Sequence, residues 1–293
     1  MNAIEKLLAG GAVVTDGAWG TQLQARGLVS GENPDGWNLS HPGRVEEVAR
    51  AYVDAGSQVI LTNTFRANRI ALAGTGLEDC LEAVNRAGVE ISRRAAAGTA
   101  AVFASIGPSG KMLPAGEVSP EELRAAFAEQ ARALAAGGAD ALVVETMSDL
   151  EEAKIALAAA KEAGLPVVAS MVFDSGRKKD RTMMGNTPEQ CARELAEAGA
   201  DLIGANCGCG VAGYVEIARR MHAETGRPVW IKANAGLPEL VDGKPVYRMS
   251  AEEYASYVPA LLDAGARFIG GCCGTGPAFV RAVRERVSGC ASS

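Results

Sequence analysis

Three cysteines carry the most specific chemistry in this sequence. Cys272 and Cys273 stand side by side in Gly270-Gly271-Cys272-Cys273-Gly274-Thr275, directly after the apolar pair Phe268-Ile269. Cys207 closes an earlier apolar run, Leu202-Ile203-Gly204-Ala205-Asn206-Cys207. Thiolates suit zinc, and three protein ligands with a vacant fourth position suit a metal that receives a substrate. Neither histidine supplies a fourth ligand: His41 precedes Pro42 in a helix-start loop, and His222 falls in a helical stretch, 214–224. Cys209 is expected one step too far into the loop to close the set, and Cys80, Cys191 and Cys290 fall in helices or the tail. Adjacent residues on a strand point to opposite faces. Cys272 and Cys273 therefore share a metal only if the chain bends there, which Gly271 and Gly274 allow. The plainer alternative, small cysteines buried in a packed strand, leaves that glycine frame unexplained.

What must bring distant sulfurs together is the scaffold. Eight short apolar runs recur at 12–16, 59–64, 101–107, 141–146, 166–173, 202–207, 228–234 and 268–272. Most are continuously apolar, as strands buried on both faces of a parallel sheet are. Segments of helical period lie between them, such as 120–136 and 150–163. A degenerate repeat marks the junctions: Ala55-Gly56-Ser57, Gly137-Gly138-Ala139-Asp140, Ala198-Gly199-Ala200-Asp201 and Ala264-Gly265-Ala266-Arg267. Glycine there can take the left-handed conformation that ends a helix. Eight strand-then-helix units predict an α/β fold, a (β/α)8 TIM barrel in a single domain over 1–293, with a doubly wound open sheet as the alternative. Residues 1–11 are expected to form a short helix under the barrel, and 282–293 a fraying tail.

Polar residues gather where these strands end: Asp16, Thr62-Asn63-Thr64, Glu145-Thr146, Asn206-Cys207, Asn234 and Cys272-Cys273. Barrel active sites are built at that rim. Any one such residue could merely satisfy loop backbone, but six strand ends together point to a site.

The bulk numbers exclude several function classes. A chain of 293 residues suits one barrel, and 48% hydrophobic with 22% charged residues is a globular composition. The net charge of −6, without a basic stripe, argues against nucleic acid. No apolar run reaches a membrane span, and the N-terminus lacks a signal-peptide layout, so a cytoplasmic location is expected. Seven cysteines, an odd number in a long chain, argue against a disulfide framework and for metal binding or reactivity in a reducing compartment.

A metal-held thiol is deprotonated near neutral pH, whereas a free one has a pKa of about 8.5. Thiolate attack on an activated methyl group is the reaction class this favours. The chain resembles the homocysteine S-methyltransferase family, most closely the homocysteine-binding module of cobalamin-dependent methionine synthase. The resemblance rests on 16–24 (Asp16 to Gln24), Thr62-Asn63-Thr64-Phe65, Glu145-Thr146, Gly204-Ala205-Asn206-Cys207, Asn234-Ala235-Gly236-Leu237-Pro238 and the glycine-framed cysteine pair. It implies Zn2+ on Cys207, Cys272 and Cys273. It implies homocysteine bound through Asp16 and Glu145 at its ammonium and the backbone of Ala18 and Trp19 at its carboxylate, with Asn63 and Asn206 alongside. Asn234 then occupies the metal's fourth position when substrate is absent, and no protein general base is required.

The donor is open at this stage: a separate corrinoid protein carrying methylcobalamin, or a small betaine or methylsulfonium compound. The segment Asp180-Arg181-Thr182-Met183-Met184-Gly185 has Thr182 where a corrinoid motif needs histidine, and is expected to be a loop. The basic run Arg177-Lys178-Lys179-Asp180-Arg181 is a solvated loop or a docking site for an anionic partner. Lys232, inside the seventh run, would suit a Schiff base, but the thiol cluster removes the need. Two other functions fit the same residues: methyl transfer to, or demethylation by, a different thiol, and a non-catalytic zinc- or redox-responsive binding protein.

Overall fold

In the computed structural model, residues 1–29, 31–208, 210–241 and 244–291 are described; Cys209 lies outside them. The barrel strands are β1 (Val13–Val14), β2 (Val59–Leu61), β3 (Ala101–Ile106), β4 (Ala141–Met147), β5 (Val167–Met171), β6 (Leu202–Cys207), β7 (Val229–Ala233) and β10 (Ala266–Gly271). The strands β8 (Glu239–Val241) and β9 (Lys244–Val246) form a separate antiparallel hairpin. The eight-stranded sheet runs β1-β10-β7-β6-β5-β4-β3-β2, every pair parallel. A parallel bridge between Thr15 and Val59 links its two edges, closing the (β/α)8 barrel rather than leaving an open sheet.

Period-two alternation divides the core into two layers. Val59, Leu61, Phe103, Ala141, Val143, Val168, Leu202, Trp230 and Phe268 fill the barrel interior. There the rings of Phe103, Trp230 and Phe268 lie 5.5 to 6.4 Å apart. The alternate residues, such as Ile60, Val102, Leu142, Ile203 and Ile231, pack outward against the helices. The N-terminal helix Ala3–Leu8 sends Ile4 into the interior cluster, as a plug formed by 1–11 requires. Gly56, Gly138, Gly199 and Gly265 all have φ between 90 and 99°, so the repeated junction glycines are needed for their conformation.

Three features depart from the sequence reading. The strands are shorter at several ends; β2 stops at Leu61 because the Thr62 and Thr64 hydroxyls bond each other at 2.6 Å and Thr64 donates to Ser105 O. The C-terminal segment is helix, Pro277–Ala291, not a fraying tail, because Val280, Val283 and Val287 share a buried face. The hairpin was not expected, although Asp242-Gly243 is a strong hairpin dipeptide. Among the described residues, no helix is long and apolar enough to cross a membrane.

Candidate metal site and its cavity

Strand register explains how the sulfurs meet. Cys207 on β6 and Gly271 on β10 are both register partners of Ala233 on the intervening β7. Neighbouring strands lie about 4.8 Å apart, so both chains must turn inward over β7. Cys207 does so with φ of 65°, followed by Gly208 at 64°. On β10 the turn closes when Thr275 N and Oγ1 donate to Cys272 O at 3.0 and 2.7 Å, with Gly274 at φ 81°. The bend between the paired cysteines is therefore present, and a Cβ on Gly274 would overlap the Tyr247 ring.

The three Sγ atoms lie within 4.8 Å of one another, and no other His, Cys, Asp or Glu joins them among the described residues. Tetrahedral zinc with bonds of about 2.3 Å would set sulfurs about 3.8 Å apart, so this donor set fits the ion with little movement. Donation from Cys272, and then from Cys273, holds the Cys207 thiol far below its usual range; the same bonds push Cys272 up. Asn234 Nδ2 bonds Gly208 O at 2.7 Å and reaches Cys207 Sγ at 3.6 Å, leaving its Oδ1 buried without a partner. Tyr247, which the sequence reading passed over, hydrogen-bonds Cys273.

The sulfurs open onto a cavity of about 320 Å³. Its wall includes Ala18, Trp19, Asn63, Phe65, Ser105, Glu145, Thr146 and Lys232. Asp16, Asn206 and Asn234 stand behind that wall. Asp16 is fully buried; it pairs with Lys232 Nζ and accepts from Leu61 N at 2.7 Å and Trp19 Nε1 at 2.8 Å. Lys232, itself 2% exposed, is thus an ion-pair partner within the barrel end. Glu145 accepts from Ser105 Oγ and, at 3.4 Å, from Asn206 Nδ2. Burial raises its pKa, opposed by the nearby Lys232 charge and the Ser105 bond. Two carboxylates and one ammonium leave this end of the cavity one negative charge in excess when all are ionised.

Asn206 braces the rim. Its Oδ1 accepts from Thr146 N at 2.8 Å and Ser170 Oγ at 2.7 Å, and its Nδ2 donates to Thr146 Oγ1 at 2.6 Å. Thr146 has φ of 60°, a conformation that costs on the order of 1–3 kcal/mol and needs such support. Among the described residues, two of the four non-glycine residues with positive φ, Thr146 and Cys207, therefore sit at this site. Across the cavity, Gly17 admits no side chain: a Cβ would lie 2.9 Å from Tyr52 and Thr275. Tyr52 Oη bonds Ala18 O at 2.6 Å, and Ala18 N donates to Thr275 O at 3.2 Å. The helix Trp19–Gln24 begins beside the cavity with no side-chain cap, so its first N–H groups have no intrahelical partner.

Other candidates lie apart. The 177–181 run folds back, with Asp180 accepting from Arg220 at 2.7 Å and Ser175 bridging Arg181. The His41 ring lies tilted against Trp37, 4.6 Å between centroids, and burial pushes the Cys191 thiol up to about 12.

The homocysteine S-methyltransferase family model matches residues 13–287. The methionine synthase of Mycobacterium tuberculosis is 31% identical over 296 residues, covering 94% of this chain and 24% of its own length. Betaine–homocysteine S-methyltransferase 1 of Danio rerio is 29% identical over 307 residues, covering 97% of this chain and 75% of its own. The metallated homocysteine methyltransferase MmuM of Escherichia coli superposes with a TM-score of 0.81 at 27% identity, covering 97% of this chain and all of that one. The chain thus spans about a quarter of the methionine synthase it matches.

Proposed function

The chain belongs to the homocysteine S-methyltransferase family, and on that premise we propose that it moves a methyl group to the thiol of homocysteine, giving methionine. The observation that carries this reading is that three mutually close thiols share one cavity with a buried carboxyl group, Glu145. Cys207, Cys272 and Cys273 would hold Zn2+, which supplies a Lewis acid able to lower a substrate thiol's pKa toward neutrality.

The chain's own residues would do the rest. Glu145 receives the substrate ammonium, with Ser105 and Asn206 fixing its two oxygens. Asp16 contributes by holding Lys232 and Trp19 in place, so the ammonium meets one uncompensated charge. The uncapped start of the helix at Trp19, beside Ala18, would receive the substrate carboxylate, Ala18 N itself being held by Thr275 O. Asn63 carries the wall through its bonds to Pro34 O and Asn38 Oδ1. Asn234, whose Nδ2 reaches Cys207 Sγ and whose Oδ1 has no partner, would approach the metal when substrate is away. The methyl donor is a small methylated compound or a corrinoid protein. A reducing cytoplasm is part of the same reading, since adjacent thiols would oxidise elsewhere.

The test is zinc content after anaerobic purification, together with methionine formation from homocysteine across a panel of donors. About one zinc per chain and homocysteine-dependent methionine are expected. A metal-free protein, or turnover only with a different thiol, would overturn the assignment; tight zinc without any methyl transfer would favour a binding protein.

A further inference from the structure

The chain that follows β7 leaves the barrel and returns to the residue it left from. Ala235 N donates to Cys273 O at 3.0 Å where the segment departs. The β8–β9 hairpin comes next, and Tyr247 stands directly after β9. There the phenol hydrogen-bonds the Cys273 side chain. The excursion thus begins on the backbone of Cys273 and ends on its sulfur. Tyr247 is half-buried, and the chain is tied down on its far side. Arg248 Nε pairs with Glu239 Oε2 at 3.0 Å across the open end of the hairpin. Farther on, Tyr254 Oη donates at 2.6 Å to Gly270 O, on the strand that leads into the cysteine pair. The Tyr247 ring itself lies on Gly274: a Cβ there would come within 2.6 Å of both Cδ1 and Cδ2.

The chemistry fixes the direction of the Tyr247–Cys273 bond. A phenol keeps its proton at neutral pH, and a metal-held thiolate can only accept. Asn234 Nδ2 approaches Cys207 Sγ in the same sense at 3.6 Å. Two of the three sulfurs are therefore addressed by donors from the chain after β7. Three thiolates on a divalent ion leave a net negative charge on the sulfurs, and in a half-buried place such a charge needs donors. Tyr247 does not line the cavity, so its reach is to the ligand sulfur rather than to a substrate. We infer that Tyr247 is a positioning residue of the metal site, its O–H steadying the Cys273 sulfur as a ligand and taking up part of that sulfur's charge. This rests on the zinc proposed above for Cys207, Cys272 and Cys273.

Tyr247→Phe keeps the ring on Gly274 and removes only the O–H. The zinc Kd, read anaerobically by competition with a chromophoric chelator, should weaken about tenfold, the lower end of what losing a ligand's hydrogen-bond partner costs. With Co2+ as the probe metal, the thiolate-to-cobalt charge-transfer band should move to longer wavelength, because a sulfur relieved of its hydrogen bond gives up an electron more easily. Tyr247→Leu removes the ring as well and should bind zinc no more tightly than the Phe variant. A Phe variant that matches the wild type in zinc Kd or in the cobalt band would make Tyr247 a packing residue and overturn its role, whatever the Leu variant does. A wild type that takes up neither zinc nor cobalt would overturn the metal site and Tyr247 together. Zinc held more weakly by the Phe variant, with the band shifted, but no methionine formed by the wild type would support Tyr247 and sink the methyl transfer alone.

Discussion

Glu145→Gln offers the sharpest test of how the cavity reads an amino acid. The substitution keeps the shape and an acceptor for Ser105, and removes the one charge that Lys232 does not cancel. A hydrogen bond to a charged group contributes about 1.5–3 kcal/mol and a neutral one about 0.5–1.5, so the expected loss is about 1.5 kcal/mol, or roughly tenfold in KM. The control is the substrate, not the enzyme alone. Compared on both proteins, homocysteine and 4-mercaptobutyrate, which lacks the ammonium, form a cycle that isolates the Glu145–ammonium contact. The wild type should prefer homocysteine by at least tenfold, and the variant should barely discriminate. Stability should move the other way. Burial raises the Glu145 pKa, so its ionised form weakens the fold as pH rises through that value, and glutamine removes the penalty. A variant that loses both thiols equally, or that melts well below the wild type at pH 7.5, would refute the assignment of Glu145 to the ammonium.

Three further outcomes follow from the same geometry. Cys272→Ala should cut zinc from about one per chain to under about a tenth, measured by metal analysis after dialysis, because two thiolates hold the ion far less well than three. Lys232→Met should strand the fully buried Asp16 charge on two N–H donors, at about 3–5 kcal/mol. At about 2.1 cal/mol/K per residue over 293 residues that is roughly 5–8 °C in Tm, and the Asp16→Asn/Lys232→Met pair should recover much of it. Asp35 gives a pH signature in the ligand-free protein. Its folded pKa of about 7 lies above the unfolded 3.8, so its contribution is most favourable below about pH 4 and falls away as pH rises to 7, on the order of 4 kcal/mol in all. Wild type should therefore lose more Tm between pH 5 and 8 than Asp35→Asn does; parallel curves would refute the burial of that charge.

The barrel was legible because its strands are apolar on both faces and its helices end on glycines that need positive φ. The sulfurs were legible for a related reason: a glycine-framed cysteine pair serves a turn, and the turn at Cys272–Thr275 is there. What local pattern could not show was who neutralises whom. Asp16 reads as a rim carboxylate, yet its partner lies 216 positions away on β7. Lys232 accordingly reads as a spare nucleophile until the fold supplies that carboxylate. Asp35 sits in Asn33-Pro34-Asp35-Gly36, which reads as a plain turn, and only the fold buries it, with Arg66 N donating to its Oδ2. The left-handed Cys207 carries no signal beyond the glycine that follows it.

The ion pair behind the wall bears on why the site needs three charged groups where one would seem to suffice. A lone carboxylate in so buried a place would keep its proton near neutrality. Lys232 lowers that tendency for Glu145, and Asp16 keeps Lys232 from cancelling it. The Lys232 charge thus opposes, without reversing, the upward shift that burial gives the Glu145 carboxyl, and the Asp16 charge adds to that shift. Asp35 has no such help within the chain, its carboxyl being pushed up to about 7.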